Sequence, residues 1–283
     1  MLTHPYVSVA EFRAHPTFMD TRNLRLGGTA AEQDAALFNV LLTASQQADE
    51  LVFMPLAAHE HTEHVRLTPD RLGRLRYHPE HAPVVSVQAL GVGSDPSRVD
   101  EQTQLTAWIE QAGRIIVASS PGGGTGLDAL QFGITPANVE VFTSWTYVAG
   151  YPHSQLVEPA AAGASTVTVR DAVGVQAGDV LRLWTPGKEE AVTVAAVAGD
   201  ELELTRPLAN DHAAESSISA LPTAIRQAVI NLAVAGLQRS GPVGEQRQGP
   251  AISSTSGDKT RSSAGNHLVT EAKRLLLPYR RIR

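Results

Sequence analysis

The residues best equipped for chemistry stand together at His59-Glu60-His61-Thr62-Glu63-His64. Imidazole nitrogens and carboxylate oxygens are the ligands that hold zinc and similar ions. On a strand, His59, His61 and Glu63 share one face; on a helix, Glu60 and His64 stand four apart and His61 and His64 three apart. A zincin helix needs two histidines four apart with a Glu directly after the first, and no pair here meets that spacing. The stretch reads as polar alternation along a solvated strand, and no metal is expected in it.

Other reactive arrangements fall away on inspection. The Pro121-Gly-Gly-Gly-Thr-Gly126 segment has no following Lys-Ser/Thr to grip phosphates and lacks the GxGxxG order that opens a nucleotide-binding helix. No GxSxG elbow occurs. With no cysteine, disulfides, thiolate metal sites and cysteine nucleophiles are excluded. Asp and Glu are scattered without a readable pairing. The expectation is a protein with no catalytic, cofactor or metal residues.

What remains is charge. From Arg239 onward there are nine Lys/Arg and three Asp/Glu, a net of +6, so residues 1–238 carry −12 of the chain's overall −6. A cationic tail on an acidic body marks contact with another macromolecule. Arg280, Arg281 and Arg283 suit either a phosphate backbone or carboxylates on a neighbouring protein. Tyr279 and Ile282 among them favour burial against a partner, since a solvated tail needs neither.

The elements that must carry this tail follow from patterning. At 283 residues, 42% hydrophobic and 18% charged, the chain can bury a substantial core. No signal segment opens it and no apolar run is long enough to span a bilayer, so it is expected to be soluble. Ser8 and Glu11 have capping-box spacing for a short helix from Val9 to about His15. Thr29 and Glu32 repeat that spacing ahead of Leu37, Leu41, Ala44, Ala48 and Leu51, which predicts an amphipathic helix from about Ala30 to Phe53. From about Ala57 to Gly150 the texture is strand-like, with Asp100–Glu110 readable as a short helix or irregular connection. Residues 157–221 hold four short alternating runs separated by turn signals, the pattern of a compact barrel or two packed hairpins. Helix resumes after Pro222, with Ile225, Val229, Leu232 and Leu237 roughly on one face. Ser240–Gly265 is polar and Gly/Pro-rich and reads as a flexible loop. A last helix fits His267–Leu277, stopped by Pro278.

Several segments, in order, resemble the head–tail connector (adaptor) family of long-tailed bacteriophages, in its larger, actinobacteriophage-like form. They are Tyr6-Val-Ser-Val-Ala-Glu11, Gly27-Gly28 and Ala44–Leu51; then Thr146-Tyr-Val-Ala-Gly-Tyr-Pro152, Ala162–Val169, Ala177-Gly-Asp179 and Leu208 with His212; and finally Leu221–Ala228 and Ala272-Lys-Arg-Leu-Leu-Leu-Pro-Tyr-Arg-Arg281. The resemblance implies an α+β fold: a helical core formed by N- and C-terminal helices with a long inserted β region that includes a small β-barrel-like subdomain. The parts would be residues 1–56 (N-terminal helical part), 57–156 (inserted β region), 157–221 (small β subdomain), 222–240 (core helix), 241–265 (flexible loop) and 266–283 (basic docking helix and tail).

The same resemblance implies a structural virion protein and not an enzyme. Copies would form a homo-oligomeric ring, usually dodecameric, that joins the portal protein to the tail terminator or next neck protein. Packaged DNA would pass through its lumen without sequence-specific contact. It would sit at the neck of the virion, assembled in the host cytoplasm, with no membrane contact and no cofactor. Lys273, Arg274, Leu277, Tyr279, Arg280, Arg281, Ile282 and Arg283 would dock on the portal or an adjacent subunit. Gly249, Ser256, Lys259 and Arg261 would lie on the flexible loop. The alternatives are another tail component, such as a terminator or baseplate protein, or a carbohydrate-active enzyme.

Overall fold

A computed structural model describes residues 2–70, 73–103, 105–119, 140–239 and 257–280. The fold is α+β. Helices α1 (Val9–Ala14) and α2 (Ala30–Val52) come first. Strands β1 (His59–Leu67), β2 (Leu75–Tyr77), β3 (Val84–Asp95), β4 (Arg98–Glu101), β5 (Thr106–Glu110), β6 (Ile115–Ser119) and β7 (Val141–Ala149) follow. Then come β8 (His153–Gln155), β9 (Thr166–Thr168), β10 (Val180–Thr185), β11 (Lys188–Ala198), β12 (Glu201–Leu204) and β13 (Ser217–Ser219). Helices α3 (Thr223–Arg239) and α4 (Gly257–Leu276) and a 3-10 turn over Leu277–Tyr279 close the described chain. Two compact units result: Ala58–Tyr151 is one, and the chain on either side of it forms the other.

The flanking unit is organised by its helices. The capping box that Thr29 and Glu32 predict is formed: the Thr29 hydroxyl accepts from the Glu32 N–H at 3.3 Å, and the Glu32 carboxylate accepts from the Thr29 N–H at 2.8 Å. Leu37, Leu41, Ala44, Ala48 and Val52 form the buried stripe of α2. Phe53 ends it in the left-handed region (φ 62°), a conformation normally left to glycine. α3 differs from its one-faced sequence pattern. From Ala228 to Ala235 every residue is buried, because α2 packs on one side of it and α4 on another.

Six strands of this unit form one antiparallel sheet in the order β8-β13-β10-β11-β12-β9. The sequence pattern marks four of them, β9 to β12; β8 and β13, three residues each, are added by pairing. The sheet curls until its two edges meet through a bridge between Leu156 and Val169. Leu156, Leu181, Leu183, Val194 and Leu202 fill the interior. Leu208 is buried under the curl, and His212 shows why a histidine suits its position. Its Nε2 meets Glu190 Oε1 at 2.7 Å and its Nδ1 meets the Thr185 hydroxyl at 2.8 Å. Glu190 also accepts the N–H groups of Ala209 and Asn210, so the array pins the loop that returns to β13.

A buried ion network joins helices to sheet. Glu11 Oε1 on α1 accepts from Arg182 of β10 at 2.8 Å and from Arg226 of α3 at 2.9 Å, and Arg182 also pairs with Glu189 of β11 at 2.6 Å. A second buried contact ties the chain start to α2. The Tyr6 hydroxyl donates to Asp49 at 2.7 Å and accepts from the Ala57 N–H at 3.1 Å.

The Ala58–Tyr151 unit is all β. A four-stranded sheet, β1-β7-β3-β4, and a three-stranded one, β2-β6-β5, share a core of Leu75, Tyr77, Leu90, Ile116, Trp145 and Tyr147. Residues 100–110 are not helical: β4 and β5 occupy both ends, the latter carried by the β-forming run Thr-Ala-Trp-Ile.

Candidate functional site

Helix α4 begins at Gly257, so Lys259 and Arg261, placed on a loop by their polar surroundings, belong to a helix. The apolar signal in that stretch is too weak to announce a helix by itself; packing against α3 supplies what local propensity does not. In its second half a stripe of Leu268, Val269, Ala272, Leu275 and Leu276 is half-buried to fully buried, at i, i+1, i+4, i+7 and i+8 spacing. Pro278 cannot continue the helix, and the chain tightens into the 3-10 turn. Lys273 and Arg274 lie in the last helical turn, where cations complement the helix dipole.

This end of α4 meets the end of α2 over an open groove of about 620 Å³, lined by Gln47, Glu50, Leu51, Phe53, Leu232, Val269, Lys273, Leu276, Leu277 and Arg280. That volume falls in the ~300–1,000 Å³ range of ordinary ligand pockets. Its apolar lip is exposed: Leu277 retains 63% and Phe53 47% of their accessible surface. The Arg280 guanidinium lies 4.8 Å from the centre of the Phe53 ring, a cation–π contact at an exposed site. Lys273 and Arg280 make no ion pair among the described residues.

Of the docking residues expected from sequence, Lys273, Leu277 and Arg280 converge on this groove. Arg274 does not line it, pairing instead with Glu271 one turn back at 2.6 Å. Tyr279 is half-buried. Arg281, Ile282 and Arg283, and the loop positions Gly249 and Ser256, lie outside the described residues.

In the histidine-rich segment, β1 places His59, His61 and Glu63 on one face. His61 stacks between His59 and His81, with ring centres at 4.3 and 3.8 Å. Burial, with His81 and His59 beside it, pushes His61 down to about 4. Glu63 accepts from the hydroxyls of Tyr77 and Tyr147 and faces His81 Nδ1 at 3.0 Å. Burial opposes its ionisation, but the hydrogen bonds from His81 and Tyr147 outweigh that and hold it below the ordinary carboxylate value. Among the described residues no group of three His, Asp or Glu is arranged to hold a metal ion. The 121–126 glycine segment lies outside the described residues.

No protein-family model matches the sequence, and no curated protein matches it. Among solved structures the chain is similar to the Gp54 tailspike of Acinetobacter baumannii bacteriophage AP22 in complex with A. baumannii capsular saccharide. That likeness has 20% identity and a TM-score of 0.22, and spans 26% of this chain and 15% of the tailspike chain. Among the described residues no helix is long and apolar enough to cross a membrane.

Two exposed apolar features, one at the groove and one away from it, escape sequence reading. Phe53 looks like the last apolar residue of α2, yet its left-handed backbone turns the ring out to the groove. The other is a pair of large apolar side chains on the connection between α1 and α2, where Phe18 is 98% and Leu26 103% exposed. Neither belongs to a periodic pattern that would mark it.

Proposed function

We propose that this chain is a structural subunit of a tailed-phage neck, which associates into a ring and docks on a protein partner through the end of α4. The observation that carries the reading is the convergence of Lys273, Leu277 and Arg280 with Phe53 around one open apolar groove. An exposed apolar lip flanked by Lys273 and Arg280, which make no ion pair among the described residues although Glu50 lines the same groove, suits a protein surface that brings an apolar anchor and negative charge. α2 and α3, with α4 against them, would form the helical body of each ring subunit. The excess of negative charge over residues 1–238 suits the wall of a DNA channel, because like charge keeps the polymer from adhering.

The test uses the full chain in its assembly setting. Lys273→Glu combined with Arg280→Glu changes two exposed side chains and leaves the circular dichroism spectrum unchanged. Heads carrying this variant should fail to join tails, and cryo-electron microscopy of wild-type particles should show a ring of this chain against the portal with α4 at a contact. Infectious particles at the wild-type level, or density that places the α4 end in open solvent, would refute the docking role.

A further inference from the structure

The two exposed apolar features identified above are complementary, and each sits where the other cannot reach it within one chain. We infer that Phe18, with Leu26 beside it, is a knob that enters the groove at the α2–α4 end of a second copy of this chain. The inference rests on the ring reading and names the surfaces that would build it.

The knob is held out, not left loose. Its loop is fastened to the N-terminal end of α2: the Gln33 amide accepts from the Arg25 N–H at 2.9 Å and donates to the Arg25 carbonyl at 2.5 Å. Arg13 pairs with Asp34 at 2.5 Å and reaches the Thr21 hydroxyl at 3.2 Å. Phe18 itself has φ 56°, a strained conformation for a bulky side chain, and residues held in such conformations cluster at functional sites. A strained backbone that presents a ring at 98% exposure gains nothing inside its own chain.

The groove lies at the other end of the same helix. α2 has 23 residues, so at 1.5 Å per residue its ends are about 34 Å apart. A loop anchored at Gln33 cannot cross that length to Phe53 and Leu277. Knob and groove are therefore satisfied only between copies, head to tail. Such a contact is heterologous, and it generates a ring if the rotation closes.

Charge agrees. Asp20, two residues from Phe18, caps its own turn through the Arg22 N–H and the Asn23 amide and makes no ion pair among the described residues. Lys273 and Arg280 make no ion pair among the described residues, and with one carboxylate, Glu50, the groove lining keeps a net positive charge. Seating Phe18 over Phe53 would bring Asp20 towards these cations.

The experiment compares the full-length wild type with Phe18→Asp and Leu277→Asp by sedimentation velocity and chemical cross-linking, after circular dichroism shows that both variants fold. Each variant alone should lose self-association, roughly 30-fold or more for the loss of a hot-spot aromatic. Mixed in equal amounts, the two should form a heterodimer that grows no further, because only one intact knob and one intact groove remain. Asp20→Lys should weaken association, and Lys273→Glu in the same chain should restore it. Oligomers that persist in both variants would overturn this contact while leaving the ring reading in place. A wild type that stays monomeric at every concentration also overturns it. The ring reading falls separately, if the chain bound to portal complexes forms no ring.

Discussion

Removing the Glu11 carboxylate should unfasten three elements at once. Its Oε1 takes one proton each from Arg182 and Arg226, and the side chains are 8%, 18% and 13% exposed. Arg182 keeps Glu189 as a partner, so the loss falls mainly on Arg226, whose one remaining hydrogen bond among the described residues is to the Thr223 hydroxyl at 3.2 Å, with Glu189 acting on its charge at longer range while its Nε has no partner. Breaking a buried pair from one side costs about 3–5 kcal/mol, because the remaining charge stays desolvated. Glu11→Ala should lie near the low end, about 3 kcal/mol, since Arg182 is still compensated. With an m-value of ~3 kcal/mol/M, the urea midpoint should fall by about 1 M. Glu11→Leu combined with Arg226→Leu removes both charges and should recover most of the loss. Urea titrations followed by circular dichroism measure all three proteins. A Glu11→Ala midpoint within ~0.2 M of wild type, corresponding to less than ~1 kcal/mol, would show that the network is solvated and joins nothing.

Two pH dependences of opposite sign follow from the buried titratable groups. Burial pushes Asp49 up to about 6 from its ordinary 3.8. The fold therefore prefers the protonated form. The contribution of Asp49 to stability is complete below pH 3.8 and is lost as pH rises to 6, by about 3 kcal/mol at most. Asp49→Asn keeps an acceptor for the Tyr6 hydroxyl and the Leu56 N–H, so it should flatten this slope and stabilise the protein at pH 7; a variant less stable than wild type at pH 7 would contradict it. His61 moves the other way, from 6.5 down to about 4, so its contribution is complete above pH 6.5 and is lost as pH falls towards 4. His61→Phe preserves the ring stack and should reduce the acid sensitivity of melting; an unchanged acid limb would exclude His61 as its source.

The elements legible from sequence were those with a strong local signal. α2 announces itself through Thr29, Glu32 and a regular apolar stripe, and its observed limits agree with that reading to within a residue. The alternation of Val141–Tyr147 marks β7 in the same way. Local pattern was misleading wherever tertiary packing decides. α3 reads as one-faced but is enclosed, α4 starts eleven residues before its apolar stripe begins, and β8 and β13 are three-residue strands that exist only because the sheet closes on them. The groove residues Lys273, Leu277 and Arg280 were legible as part of a cationic, apolar C-terminal segment. Their partner in the groove, Phe53, was not, because a positive φ at the end of a helix leaves no mark on residue type when the residue is not glycine.

How independent the helical unit is can be tested by excising the other one. The β unit runs from Ala58 to Tyr151, and its ends are hydrogen-bonded: the Ala58 N–H meets the Tyr151 carbonyl at 2.9 Å. Facing residues in an antiparallel pair have Cα atoms only about 5 Å apart, a gap that a two-residue Asn-Gly link spans. Both stubs are held within the helical unit, Ala57 by the Tyr6 hydroxyl and Pro152 by the Ala220 N–H. Every contact described among α1, α2, the curled sheet, α3 and α4 lies outside the excised residues. A chain with 58–151 replaced by Asn-Gly should therefore keep its helical circular dichroism signal and melt cooperatively. Its unfolded state would also lose less entropy on closing a much shorter loop, by up to about 3 kcal/mol. If the excised protein instead unfolds or melts without cooperativity, Glu11, Arg182, Arg226 and the helices they join are not a self-sufficient core.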